Sequence, residues 1–195
     1  MNYGEIKSAV ASWIKRSDLA GVIPTFITLT ETDILRDVRV RAMETLVGIN
    51  LGGEVQPHPD RLIEVRRLVI AGDQYLYVTP EEYELNTDAR YKIFTSIGTN
   101  FYINGGEAGD TGTLTYTSSF APLVADGDTN WLTENAPDVY LFGALRHASI
   151  YTLEDASVAK FAQLYAGAVE RVNKLEKAQA LAGPLSVRHE IKEWL

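Results

Sequence analysis

Between Pro137 and Ile150 the chain sets one apolar residue after another: Val139, Tyr140, Leu141, Phe142, Ala144, Leu145, Ala148 and Ile150. Pro137 and Asp138 suit the first turn of a helix, where a missing amide proton costs nothing and a carboxylate meets the positive helix end. Asn135 stands where a cap is needed. A helix so apolar has to be covered on several sides. In a chain of 195 residues this predicts burial between subunits as well as within one. The residues expected at such a subunit interface are Tyr140, Phe142 and Leu145, joined by Phe161 and Tyr165 from the helix that follows.

Three further stretches carry a helical period. Tyr3, Ile6, Val10 and Trp13 recur at spacings of three and four, with Ile14 widening the stripe, and predict a helix over 3–16. Pro24 opens a second, with Ile27, Ile34 and Val38 backed by Phe26, Leu29 and Leu35, running to about Arg39. Val158, Phe161, Tyr165, Ala168, Val172 and Leu175 keep heptad spacing through a long helix over 155–182, about 40 Å from end to end. Gly183-Pro184 stops it.

From Gly52-Gly53 the period changes to two. Strands are expected at 62–70 and 75–78, around the turn Ala71-Gly72-Asp73-Gln74, and at 91–97, 100–103 and 113–118. The stretch after Glu44 also leans to strand, while Pro57 and Pro59 mark a loop. Thr79-Pro80-Glu81-Glu82 reads as the capped start of a short helix. The expected fold is α+β: a four-helix bundle-like core from 1–50 and 127–184, a small antiparallel β domain inserted at 51–126, and an extended tail at 185–195. The two helical ends must meet to bury their stripes.

Charge is unevenly placed. Of a net −8, most falls on residues 59–134, where five Lys/Arg stand against twelve Asp/Glu. Gripping duplex phosphates needs clustered Lys and Arg, so an acidic middle argues against DNA binding and suits a surface that DNA passes without sticking. Arg61, Arg66 and Arg67 form a small basic group within this acidic stretch. They read either as strand residues paired with neighbouring Glu or as a contact for an acidic protein partner.

No catalytic, metal or cofactor site is expected. The chain has no cysteine, which excludes disulfides, thiolate metal sites and thiol nucleophiles. His58, His147 and His189 fit no metal-binding spacing and read as surface or interface residues. Gly105-Gly106-Glu107-Ala108-Gly109 precedes no helix and reads as a loop, not a phosphate cradle. Glu81/Glu82 and Asp126/Asp128 sit in capping and turn chemistry that accounts for them. No serine stands in a GxSxG context. No apolar run of about 18 residues predicts a membrane span, and the first residues lack the features of a signal peptide. The chain is expected to stay in the cytoplasm where it is made.

The tail carries Val187, Ile191 and Trp194 on one helical face, with Arg188 and Leu195 beside them. A tryptophan there packs either on its own bundle or in a partner's groove.

Several phrases in order resemble the head-to-tail adaptor (head-completion) proteins of short-tailed and related phages. They are Trp13-Ile14-Lys15-Arg16-Ser17-Asp18-Leu19 followed by Ile23-Pro24-Thr25-Phe26-Ile27; Ile34-Leu35-Arg36-Asp37-Val38-Arg39 with Met43-Glu44; Leu62-Ile63-Glu64-Val65-Arg66-Arg67; Thr79-Pro80-Glu81-Glu82-Tyr83; and, most specific, the run from Thr129-Asn130-Trp131-Leu132 to Gly143-Ala144-Leu145. The chain departs from the family's pattern at Arg146-His147. The resemblance covers about residues 3–180. It implies a virion neck protein assembled in the bacterial host: a homo-oligomeric ring of twelve copies beneath the portal protein, with DNA passing through its channel. It also implies attachment of tail nozzle or tail-fibre proteins. On that reading Val187, Arg188, Ile191, Trp194 and Leu195 form a portal-binding tail, and Arg61, Arg66 and Arg67 a tail-partner surface. The alternatives are a tail-associated cell-wall glycan hydrolase and a host-carbohydrate-binding module.

Overall fold

The computed structural model describes residues 1–86 and 88–181; the expected portal-binding residues Val187, Arg188, Ile191, Trp194 and Leu195 lie outside them. The described residues form a mixed α+β structure of six α-helices and one curled seven-stranded sheet. They divide into two compact units. One gathers residues 1–40, 125–127 and the described residues from Thr133 on; the other gathers residues 41–124 and 128–132.

The first unit is helical. Helix α1 (Tyr3–Ile14) starts on a reciprocal cap: the Asn2 side chain accepts from the Glu5 amide at 2.8 Å, and the Glu5 carboxylate accepts from the Asn2 amide at 3.0 Å. Its C-cap is Lys15, whose left-handed φ of 55° ends the helix two residues short of the expected 3–16. Helix α2 (Ile23–Asp37) carries Pro24 in its first turn, as expected. Two helices of the chain's later half complete the unit, α5 (Pro137–Tyr151) and α6 (Asp155–Leu181).

Helix α5 is the hub, and α1, α2 and α6 each pack on it. Tyr3, Ile6 and Val10 of α1 and Ile23, Phe26, Ile27 and Ile34 of α2 supply the buried side chains around it. The approach of α2 to α5 is close enough that Gly143 lies directly against the Thr30 side chain. The apolar character of 139–150 therefore has an intramolecular cause. Tyr140 and Leu145 are each only 1% exposed and Tyr165 3%, so these three expected interface residues are core residues of their own chain. One surface of α5 stays open at Ile150 and Tyr151.

The short helices are α3 (Pro80–Leu85) and α4 (Trp131–Asn135). Asn135 does not cap α5: it is the last residue of α4, and Ala136, in a non-helical conformation without a side-chain cap, separates the two helices.

The second unit is the sheet. Its strands are β1 (Glu44–Asn50), β2 (Val55–Pro57), β3 (Leu62–Ile70), β4 (Asp73–Tyr77), β5 (Ile93–Ile97), β6 (Asn100–Asn104) and β7 (Thr111–Ser118), in the order β1-β7-β3-β4-β5-β6-β2. Strand β1 pairs with β7 over seven residues, from Glu44↔Thr117 to Asn50↔Thr111. That pairing ties it to the sheet, and residues from Arg41 on fall in this unit. Ala71-Gly72 alone join β3 to β4, both with positive φ (51° and 91°), the backbone of a tight hairpin turn. The sheet is not wholly antiparallel: β4 and β5 run parallel, and α3 lies in the crossover that parallel neighbours require. Strand β2 occupies the 55–57 stretch expected to be loop. It is an edge strand, where a proline is tolerated because one side of the ladder is unpaired. Leu51, Leu68, Ile70, Tyr75, Phe94, Phe101, Ile103, Leu114 and Tyr116 fill the inside of the curl.

Candidate functional site

The helical unit carries an exposed aromatic patch. Trp13 of α1 is 52% exposed. It meets Phe142 of α5 edge-on at 6.2 Å and Phe161 of α6 at 6.4 Å. The Lys160 ammonium lies 5.6 Å from the Phe161 ring, and Leu164, one turn further along α6, is exposed. Of the five expected interface residues, Phe142 and Phe161 are therefore the two that reach the surface. Trp13 belongs with them. Its place on the α1 stripe marked it as core, and only the assembled helices show that it lies at the rim.

Behind α5 lies a polar network. Asp33 of α2 accepts from Arg146 and, at 2.8 Å, from His147 Nε2. All three side chains are about one-fifth exposed or less. The Arg146 guanidinium stacks over the Tyr165 ring at 4.7 Å, and the Tyr165 hydroxyl donates to Asp37 at 3.2 Å. Burial, and then the Asp37 and Asp33 carboxylates, push the Tyr165 phenol well above its ordinary range. His147 is thus largely buried, and with Arg146 it clamps α5 to α2. Replacing Asp33 with alanine leaves a half-buried guanidinium without its carboxylate, at a cost of about 2 kcal/mol. Urea unfolding of Asp33→Ala measures it, and an unchanged midpoint would show that solvent screens the cluster.

In the sheet unit, Arg66 stands 3.5 Å from Glu64, so the neighbouring-Glu reading holds for that residue. Arg61 adopts a left-handed φ of 61° and reaches the Ser119 carbonyl. The register of β3 on β7 slips between Val65 and Arg67. That bulge breaks the alternation and leaves Arg66 and Arg67 both exposed.

The curl of the sheet is incomplete. Between the edge strands β1 and β2 opens an apolar slot of about 350 Å³, with Val47 and Ile49 on one wall and Leu68, Phe101, Ile103 and Leu114 at its floor. Asn50, Gln56 and His58 supply its polar groups. His58 packs on Phe101 with ring centres 4.3 Å apart and shares a hydrogen bond with the Ser96 hydroxyl at 3.1 Å.

The carboxylate pairs have local roles. Glu81 and Glu82 occupy the first turn of α3, where Thr79 accepts from the Glu82 amide at 3.2 Å. Asp126 pairs with Lys7, and Asp128 accepts from the Val124 amide at 2.9 Å. Among the described residues no group of three or more His, Asp or Glu is placed to hold a metal ion, and no helix is long and apolar enough to cross a membrane.

What the surface offers is an aromatic patch, an open sheet edge and a basic bulge, the equipment of a chain that packs against other proteins. The chain matches the family model described as SU10 adaptor protein over residues 1–188 and belongs to that family, one of phage head-to-tail adaptors. Membership makes it a structural component of the virion's head-to-tail connection. A search of curated proteins finds no match to the chain.

Proposed function

We propose that copies of this chain form a twelve-membered ring beneath the portal, continue the DNA channel, and carry nozzle or fibre components of the tail. The observation that carries this reading is the patch of Trp13, Phe142 and Phe161. It joins three helices, and among the described residues Trp13 stays half-exposed. Large aromatics at the rim of a packed helical unit are the residues that dominate protein interfaces. The acidic stretch 59–134 suits a wall past which DNA slides. Arg61, Arg66 and Arg67 are the cations of the sheet unit that an acidic tail component would meet.

Two changes test the ring. Trp13→Glu removes two ring contacts from a half-exposed site and is expected to cost about 1 kcal/mol of stability, while co-sedimentation with portal rings of the same phage falls at least about tenfold. Removing residues 185–195 is expected to leave thermal unfolding unchanged and to abolish co-sedimentation. Wild-type binding by the Trp13 variant would show that the patch faces solvent in the virion; unfolding of the truncated chain would show that the tail serves the fold.

A further inference from the structure

Among the described residues, β1 pairs only with β7 and β2 only with β6. Each therefore turns a row of backbone donors and acceptors toward the slot between them. Edge strands are ordinarily guarded by lysine, proline or a covering element. Strand β1, with the sequence Glu-Thr-Leu-Val-Gly-Ile-Asn, has no basic residue and no proline. Its inward residues Val47 and Ile49 remain half-buried because no neighbour covers them on the slot side.

We propose that this slot takes an eighth strand, residues 185–191 of a second copy of this chain. The segment Leu185-Ser186-Val187-Arg188-His189-Glu190-Ile191 alternates with period two: Leu185, Val187, His189 and Ile191 share one face, and Ser186, Arg188 and Glu190 the other. Three apolar side chains would meet the floor of Leu68, Phe101, Ile103 and Leu114, and the one polar inward residue, His189, has Asn50, Gln56 and His58 to meet. Its seven residues equal the seven of β1. Gly183-Pro184 precede it in the sequence, a pair unsuited to a helix interior. Added strands bind through main-chain hydrogen bonds, with alternate side chains giving specificity.

The choice of a second copy rests on the ring reading: in a ring each subunit gives one strand and receives one, so every slot is filled. A single seven-residue strand is weak by itself, which leaves closure to a template. The exchange takes Val187, Arg188 and Ile191 from the set expected at the portal and leaves Trp194 and Leu195 for it.

The chain has no cysteine, so introduced thiols report without background. Full-length chain carrying Val47→Cys is mixed at high concentration with a size-tagged full-length chain carrying one cysteine at each position from 185 to 191 in turn, and oxidised. A mixed disulfide requires Cα atoms within about 7 Å and converging side chains. The proposal expects mixed dimers whose yield peaks at an odd-numbered position and is at least about fivefold lower at the even-numbered positions beside it. A flat profile, a peak at Ser186, Arg188 or Glu190, or an absence of mixed dimers overturns it. The measurement needs two copies and no portal, so failure of the ring on a portal is read separately, by co-sedimentation.

Discussion

Replacing Gly143 with valine is expected to lower the melting temperature of the helical unit by about 10 °C, a loss of about 3 kcal/mol or more. Gly143 sits where α5 crosses α2, and a β-carbon there would overlap the Cγ2 of Thr30 at 2.3 Å and crowd its Oγ1 and Cβ at 3.0 and 3.2 Å. Thr30 cannot step aside. It is fully buried, and its hydroxyl donates to the Phe26 carbonyl at 2.8 Å within its own helix. The helices must part, and with them the packing of Val139, Ala144 and Leu145 loosens. The effect is a local clash, so it has a partner-specific signature. Thr30→Ala removes two of the three opposing atoms, and the double variant Gly143→Ala/Thr30→Ala should recover stability relative to the sum of the single changes. Circular dichroism at 222 nm follows the transition. Strict additivity of the two changes would show that the helices do not approach as closely as Gly143 indicates.

The second large effect is expected in the sheet. Gly112 lies on β7, between β1 and β3, paired with Ile49 on one side and Ile70 on the other. A β-carbon at Gly112 would run into the Val69 carbonyl oxygen and the Ile70 Cα. These are backbone atoms of the neighbouring strand, so no rotamer change relieves the overlap. Gly112→Val should push β3 from β7 and cost about 3 kcal/mol or more. Gly48 makes the contrast: it lies in β1, with nothing near the position its β-carbon would take. Gly48→Ala is expected to stay within about 0.5 kcal/mol of the wild type. Near-ultraviolet circular dichroism of Tyr75, Phe94, Phe101 and Tyr116 reports on this core. Equal losses from the two substitutions would mean that β1 is packed as tightly as β7.

Both glycines illustrate what sequence periodicity conveys and what it omits. The three-four spacing of Tyr3, Ile6 and Val10 is that of the buried face of α1. The same logic located α2, α5 and α6, because burial of one helical face is a local, repeating demand. It does not say what does the burying. An almost wholly apolar α5 fits a subunit interface as well as it fits a hub among three helices of one chain, and Tyr140 and Leu145 face the hub. Trp13 went the other way, a stripe residue that stays half-exposed although Phe142 of α5 and Phe161 of α6 pack on it. Strand direction is equally hidden: alternation marks β4 and β5 but is the same for parallel and antiparallel neighbours. The Pro57 that disguised β2 as a loop is permitted only because that strand is an edge. Asp33 and His147 are 114 residues apart in sequence, and no local spacing announces a pair of that kind. Arg146 beside it joins the same carboxylate from the same helix.

The adaptor reading stands or falls on one image. Purified full-length chain is mixed with portal rings of its phage and examined by electron microscopy. The account predicts a second ring of twelve copies seated coaxially below the portal, with the face bearing Trp13, Phe142 and Phe161 turned toward the adjacent subunit. Portal rings that remain bare at saturating chain concentration, or copies attached singly with that face open to solvent, would contradict it.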